Sequence, residues 1–428
     1  MRDILIVGII FIGSLYALKQ PWGGVMLWTW ISLMNPHSLA YGFSQTFPVA
    51  AIVAGATIIG LTITRERRNP FISAPVIWLA LFMAWMCITY LFSYNLEGST
   101  EMLKKVMKID VMLLVTLALL STRKHIETFV WVIVVSLGFY GVKGGIFTLT
   151  TGGNYRVWGP GGFIGGNNEI ALALIITIPF MYYLNLVATN KWIKRGLLAA
   201  MLLSAAAALG SHSRGALLAI AAMSVYMWLK SPRKVLFGSA MLVAGIALLL
   251  FMPEEWGARM NTIQTYEEDR SAMGRINAWW MAYNIAKVRI TGAGFDMYTP
   301  GMFALYAPDP LDIHAAHSIF FQVLGEHGFI GLFLFLGIWW STWRTAAWLI
   351  KNGSKSPQTK WCQYLGAMCQ VSILGYAVGG AFLSLAYFDL PYNAMVLVVL
   401  ARSWLERQAW LNEQPINSSL AVAGAVKP

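Results

Sequence analysis

Residues 253–331 read PEEWGARMNTIQTYEEDRSAMGRINAWWMAYNIAKVRITGAGFDMYTPGMFALYAPDPLDIHAAHSIFFQVLGEHGFIG, the one long polar interruption between apolar runs. The stretch carries Arg259, Arg270, Arg275 and Arg289 and ends in His314-Ala-Ala-His317 at the lip of the next run. Everything around it is apolar. Across 428 residues, 57% are hydrophobic and 12% charged, with 19 Trp and a mean hydropathy of +0.60, outside the range of soluble globular chains. Long apolar runs separated by short charged loops predict an all-α polytopic membrane protein. The short alternating segments of an outer-membrane barrel are missing.

Candidate membrane segments are 3–18, 22–34, 47–64, 74–94, 105–121, 126–148, 168–188, 192–210, 214–230, 235–252, 317–343, 361–383 and 387–405. The first two are short and flank Pro21-Trp22-Gly23-Gly24, so they read as one broken span, and about 12 transmembrane helices are expected. The basic clusters Arg65–Arg68, Arg123–His125, Lys191–Arg195, Arg233–Lys234 and Arg344–Lys360 fall on one side when the spans are counted off, and that side is expected to be the cytoplasm. The organisation expected is N-terminal helices over 1–252, a large periplasmic loop with its own helices over 253–316, C-terminal helices over 317–410 and a disordered cytoplasmic tail over 411–428. Gly274–Val288 has the spacing of a helix lying on the membrane surface.

Several function classes fall away. The net charge of +12 is the ordinary load of cytoplasmic loops and gives no reason to expect nucleic acid. Cys87, Cys362 and Cys369 lie in or beside apolar runs without metal-ligand spacing. The N-terminus lacks a small-x-small cleavage pattern before Lys19 and reads as a retained membrane segment. There is neither a nucleotide-binding phosphate loop nor a G-x-S-x-G elbow. The glycines from Gly152 to Gly166 could cradle phosphate or simply form a flexible outer loop. Asp309, Asp312, His314 and His317 could bind a divalent ion, but their spacing matches no dedicated ligand motif. Lys108 with Asp110 is the only hint of mid-membrane charge that a transporter would use.

Basic residues on the outer side run against the usual charge bias and need an explanation. A guanidinium at a membrane mouth suits phosphate oxygens through its planar fork. Arg214 opens an apolar helix in Ser211-His212-Ser213-Arg214 with little acidic sequence nearby, so it is the first candidate for an anionic substrate. Arg259 and Arg289 fit headgroup contact or pairing with Glu254, Glu255, Glu267, Glu268 and Asp269 equally well. His317 stands where an imidazole can face both an aqueous cleft and a membrane-embedded substrate, and could take a proton near neutral pH.

Taken in order, Arg156 with GGNNEIALALIITIP, SHSRGALLA, RSAMGRINAWW, TGAGFDMY and AHSIFFQVLGEHGFIG resemble the bacterial superfamily of O-antigen ligases, O-antigen polymerases and O-oligosaccharyltransferases. The first hundred or so residues resemble the exosortase-associated O-glycosylation ligases of that group. The resemblance implies an inner-membrane, GT-C-like glycosyltransferase with a periplasmic active site and no cofactor or metal. It would pass a glycan from undecaprenyl pyrophosphate to an acceptor, a lipid A core sugar for a ligase. It also implies catalytic roles for His317, Arg214 and Arg275, with Arg270 as a further partner; Arg156, Arg270, Asn168, His314 and Arg259 are the candidate substrate-binding residues, His314 standing outside the family motif. Ser318 follows the histidine where the family more usually has Asn. Polymerase, protein oligosaccharyltransferase and lipid-linked glycan transporter remain competing readings.

Overall fold

The computed structural model describes all residues except 1, 41, 46, 232, 262–269, 412 and 414–428. Glu267, Glu268, Asp269 and nearly all of the expected tail therefore lie outside the described residues. Every regular element among the described residues is helical: α1 (Arg2–Lys19), α2 (Pro21–Met34), α3 (Val49–Ile63), α4 (Ala74–Tyr90), α5 (Leu96–Leu119), α6 (Arg123–Thr150), α7 (Asn167–Val187), α8 (Lys191–Leu209), α9 (Arg214–Lys230), α10 (Lys234–Phe251), α11 (Glu254–Asn261), α12 (Arg270–Val288), α13 (Pro300–Tyr306), α14 (Ile319–Gly353), α15 (Lys360–Gly380) and α16 (Asp389–Glu406). By length and composition, α6, α7, α8 and α14 are each sufficient to cross a membrane.

The centre is built from α7, α15 and α16, whose residues are buried on nearly all sides, as expected of helices surrounded by other apolar helices. Close packing depends on small residues. The Gly141, Gly144 and Gly145 face of α6 meets Ser204, Ala207 and the backbone of Leu203 on α8, and a β-carbon at Gly145 would stand 2.2 Å from the Leu203 carbonyl oxygen. Without small side chains the two backbones could not approach.

Consecutive helices alternate between two ends. At one end the basic loops gather: Arg68 N–H donates to Ala118 O (2.9 Å), Arg407 donates to Ser121 O (3.0 Å), and Arg123 and Arg402 lie over the rings of Trp361 and Trp348. At the other end the connections after α2, α4, α6, α8 and α15 meet the stretch from α11 to α13.

The sequence expectation of one broken N-terminal span is corrected. Gly13 packs on Leu27 and Gly23 on Tyr16, so α1 and α2 are antiparallel arms of a hairpin about Gln20, with Asp3 accepting from the Ser44 hydroxyl (2.7 Å) at the far end. α5 begins well before residue 105. Asp110 and Lys108 do not form the pair suggested by sequence: Asp110 is buried, Lys108 is exposed, and residues two apart on a helix do not face each other. α12 buries Asn277, Ala278, Met281, Ala282, Ile285 and Ala286 and packs along α14, leaving an exposed edge at Met273 and Trp280.

The stretch TGAG (291–294) is explained by a break in α14. Gly328 has φ +68°, which interrupts the helix and strips partners from the carbonyls before it. Ala293 N–H donates to Gly325 O (2.9 Å) and Gly294 N–H to Glu326 O (2.9 Å), satisfying the exposed turn. Beneath the break, Tyr387 donates its proton to Glu326. His327 Nε2 then donates to the Tyr387 oxygen (2.8 Å), and Nδ1 lies 2.7 Å from the Thr89 hydroxyl. These buried polar groups satisfy one another.

Candidate functional site

The loop between α8 and α9 is held from three directions. His212 is buried at φ +58°, and its Nε2–H donates to Gly153 O (2.8 Å); a carbonyl only accepts, so that nitrogen carries the proton. Asn167 donates to Ser211 O (2.8 Å). Ser213 caps α9 by accepting from Ala216 N–H (3.3 Å). Arg214, the first residue of α9, therefore leaves a rigid loop beside the positive end of the helix dipole.

α11 lies across this loop. Trp256 donates to Leu209 O (3.2 Å) and Arg259 Nε donates to His212 O (2.9 Å). Arg214, Arg259 and Arg275 then line one pocket with Asn168, Ser213, Gly215, Phe382 and Leu383. All three arginines are half-buried. The pocket is tight, with about 20 Å³ open to the centre of a water molecule. A group larger than a water molecule could enter only if the long guanidinium side chains swing aside.

His317 lies outside that lining but beside it. Its backbone has φ +42°, an uncommon conformation for a residue with a β-carbon. It is enforced by its neighbours: Trp279 Nε1–H donates to Ala316 O (2.6 Å), the Trp279 ring stacks on Phe321 at 4.9 Å, and Ser318 is buried at the start of α14. Burial, then the positive charge of Arg275, then that of His314, push the imidazole down to about 4, so it is neutral at pH 7. A neutral imidazole half-open to a cationic pocket can accept a proton, and an anion seated against Arg275 would make it more basic.

The remaining sequence candidates divide. Asn168 is in the pocket; its neighbour Asn167 is the loop tie. Arg156 and Arg270 are exposed and do not line it. His314 pairs with Asp312 (Nδ1 to Oδ1, 2.7 Å) and rests over Gly274. Among the described residues no three His, Cys, Asp or Glu side chains converge as a metal site would require; Asp309 instead accepts from Leu311 N–H (3.0 Å). Arg289, which reads like Arg259 in sequence, donates to Gly292 O (2.9 Å) and Phe92 O (2.6 Å) and lies 4.2 Å from the centre of the Tyr94 ring, fastening α12 to the α4–α5 turn. The glycines 159–166 form a closed turn, with Gly159 N–H donating to Gly165 O (3.2 Å). Sequence reasoning passed over Phe382 and Leu383, which carry no motif, and gave Ser213 no role although it lies in SHSRGALLA.

Residues 1–189 match a family of unknown function (DUF5935), whose description names neither an activity nor the exosortase-linked branch. Residues 198–336, about a third of the chain, match the family model described as O-Antigen ligase. Arg214, Arg259, Arg275 and His317 all fall in that second stretch, and Asn168 comes from the first. No curated protein matches the chain. Over residues 198–336 the chain is similar to the O-antigen ligase family.

Proposed function

We propose that the protein is an inner-membrane glycosyltransferase that takes a glycan from undecaprenyl pyrophosphate and joins it to a lipid A core sugar hydroxyl, with its site on the periplasmic face. The observation that carries this reading is the convergence of Arg214, Arg259 and Arg275 on one pocket beside His317. It is supported by the segregation of basic loops to the opposite end, which matches a cytoplasmic face there. On this reading, with α1 and α2 as separate arms, about 13 helices cross the membrane and residues 253–316 lie in the periplasm.

A sugar bonded to pyrophosphate is already activated, so the reaction needs no ATP. The acceptor oxygen attacks the anomeric carbon and gives its proton to His317, while the carbon–oxygen bond to phosphate breaks and the electron pair leaves with the diphosphate. Arg214 and Arg275 hold the charge that develops there. Arg259 and Asn168 position the leaving group, and Arg156, Arg270 and His314 contact the glycan. One displacement at one face inverts the anomeric centre, with no metal taking part.

The test uses purified protein, a lipid-pyrophosphate glycan and an acceptor, without ATP and with EDTA present. H317A should lose about 10²- to 10⁴-fold in rate, and R214K should lose roughly 10- to 100-fold because Lys keeps the charge but not the bidentate fork. Full activity of H317A ends the base assignment, and loss of activity in EDTA ends metal independence. Offering a lipid A core, a second lipid-linked glycan and a Ser-containing protein separates ligase from polymerase and protein transferase.

A further inference from the structure

A larger cavity, about 660 Å³, opens at the same end between α2, α3, α5 and the glycine turn, and shares no residue with the arginine pocket. Its polar side is Lys104, Lys105 and Lys108 of α5, with His37 and Asn35 from the connection after α2. Its apolar side includes Trp28, Ile31, Met102, Ile109 and Phe163. Gly98 and Ile109 are both in its wall, so it runs about 16 Å along the α5 axis.

Two carboxylates, Glu101 and Asp296, share this wall with the lysines. Glu101 pairs with Lys104 (3.2 Å), and Asp296 accepts from Asn95 Nδ2 (2.9 Å). Asp389 behind the wall accepts from the Ser32 hydroxyl (2.6 Å) and attracts the Lys105 ammonium, so Lys108 is the lysine left over. Lys105 lies 3.7 Å above the Phe163 ring, and Lys108 makes no ion pair among the described residues. Lys108 stands at the middle of the 24-residue α5, where an ammonium in an apolar bundle is costly without a counter-charge, and the lysines lie on the half of the helix away from the basic loops, where the usual bias gives no reason for them. We propose that this cavity is a second anion site, occupied by a phosphate-bearing lipid whose headgroup meets Lys105 and Lys108 and whose chains lie along Trp28, Ile31 and Ile109. A free phosphate would leave most of the volume and the whole apolar wall unused. The site stands whether or not the arginine pocket performs transfer.

The experiment is native mass spectrometry of the full chain carrying R214Q/R275Q, so that binding at the arginine pocket does not contribute, with phosphatidate as the probe. One phosphatidate should bind, and adding K105Q/K108Q should weaken it at least tenfold with an unchanged melting curve. Because Lys108 has no ion pair to lose, K108Q alone should fold normally and weaken binding in the same direction. Equal binding of phosphatidylcholine, or no change on removing the lysines, overturns the proposal. Displacement by inorganic phosphate at a concentration equal to the lipid assigns the site to the free anion and overturns the lipid.

Discussion

At the scale of single residues the proposed chemistry turns on how charge around His317 sets its proton affinity. The imidazole is held down to about 4, first by burial and then by Arg275, so the base form persists as pH falls through the ordinary histidine range and is lost only near the depressed value. The rate at low donor concentration should therefore stay flat from about pH 8 to about pH 5 and decline below that. R275Q removes the second cause, so the acid limb of its residual rate should move to higher pH. At saturating donor the limb should also lie higher, because diphosphate offsets the arginine charge. A limb near 6.5 that R275Q leaves in place would mean His317 is not the titrating base. The sequence could put Arg214, Arg275 and His317 forward as candidates because a basic position read as outer beside an apolar run has few ordinary explanations, and the structure brings the two arginines to one pocket. Arg259 and Arg289 were not separable, since a backbone carbonyl partner such as His212 O or Phe92 O leaves no trace in residue type. R289A should accordingly lower the melting temperature by several degrees while the rate per folded molecule changes less than about threefold, the reverse of R214K.

Elements show a different balance. Most helix limits followed from hydropathy, and α9 and α10 begin and end within a residue or so of the apolar runs. Charge hid the rest: Lys104, Lys105 and Lys108 made the outer part of α5 read as loop, although Glu101, Lys105 and Lys108 recur at helical spacing with Glu97. The break in α14 was illegible for another reason. Gly328 looks like one more glycine in an apolar helix, and only the docking of residues 291–294 against Gly325 and Glu326 gives its conformation a purpose. A β-carbon there would stand 2.3 Å from Ile290 O, in a backbone at φ +68°, ψ −173° that is confined essentially to glycine and costs other residues about 1–3 kcal/mol. G328A should thus lower the melting temperature in detergent more than G301A, where a β-carbon meets nothing within 4 Å. Equal melting of the two would show that the break relaxes freely.

For the whole molecule the decisive matter is which end faces outward, since the arginine pocket, His317 and the lysine cavity all share one end and the basic loops crowd the other. If the basic end is cytoplasmic, Leu311, 91% exposed at the site end, must be reachable from the periplasm, and Lys355 in the α14–α15 connection must not. In a chain whose Cys87, Cys362 and Cys369 are replaced by Ser or Ala, L311C should react with a membrane-impermeant maleimide on cells with a permeable outer membrane, and K355C only after the inner membrane is opened. Cys362 and Cys369 are buried, so removing their sulfurs should cost stability without changing orientation. The opposite labelling pattern would put the arginines on the ordinary cytoplasmic side, where basic residues need no substrate to account for them, and the glycan-transfer reading would lose the asymmetry on which it was built.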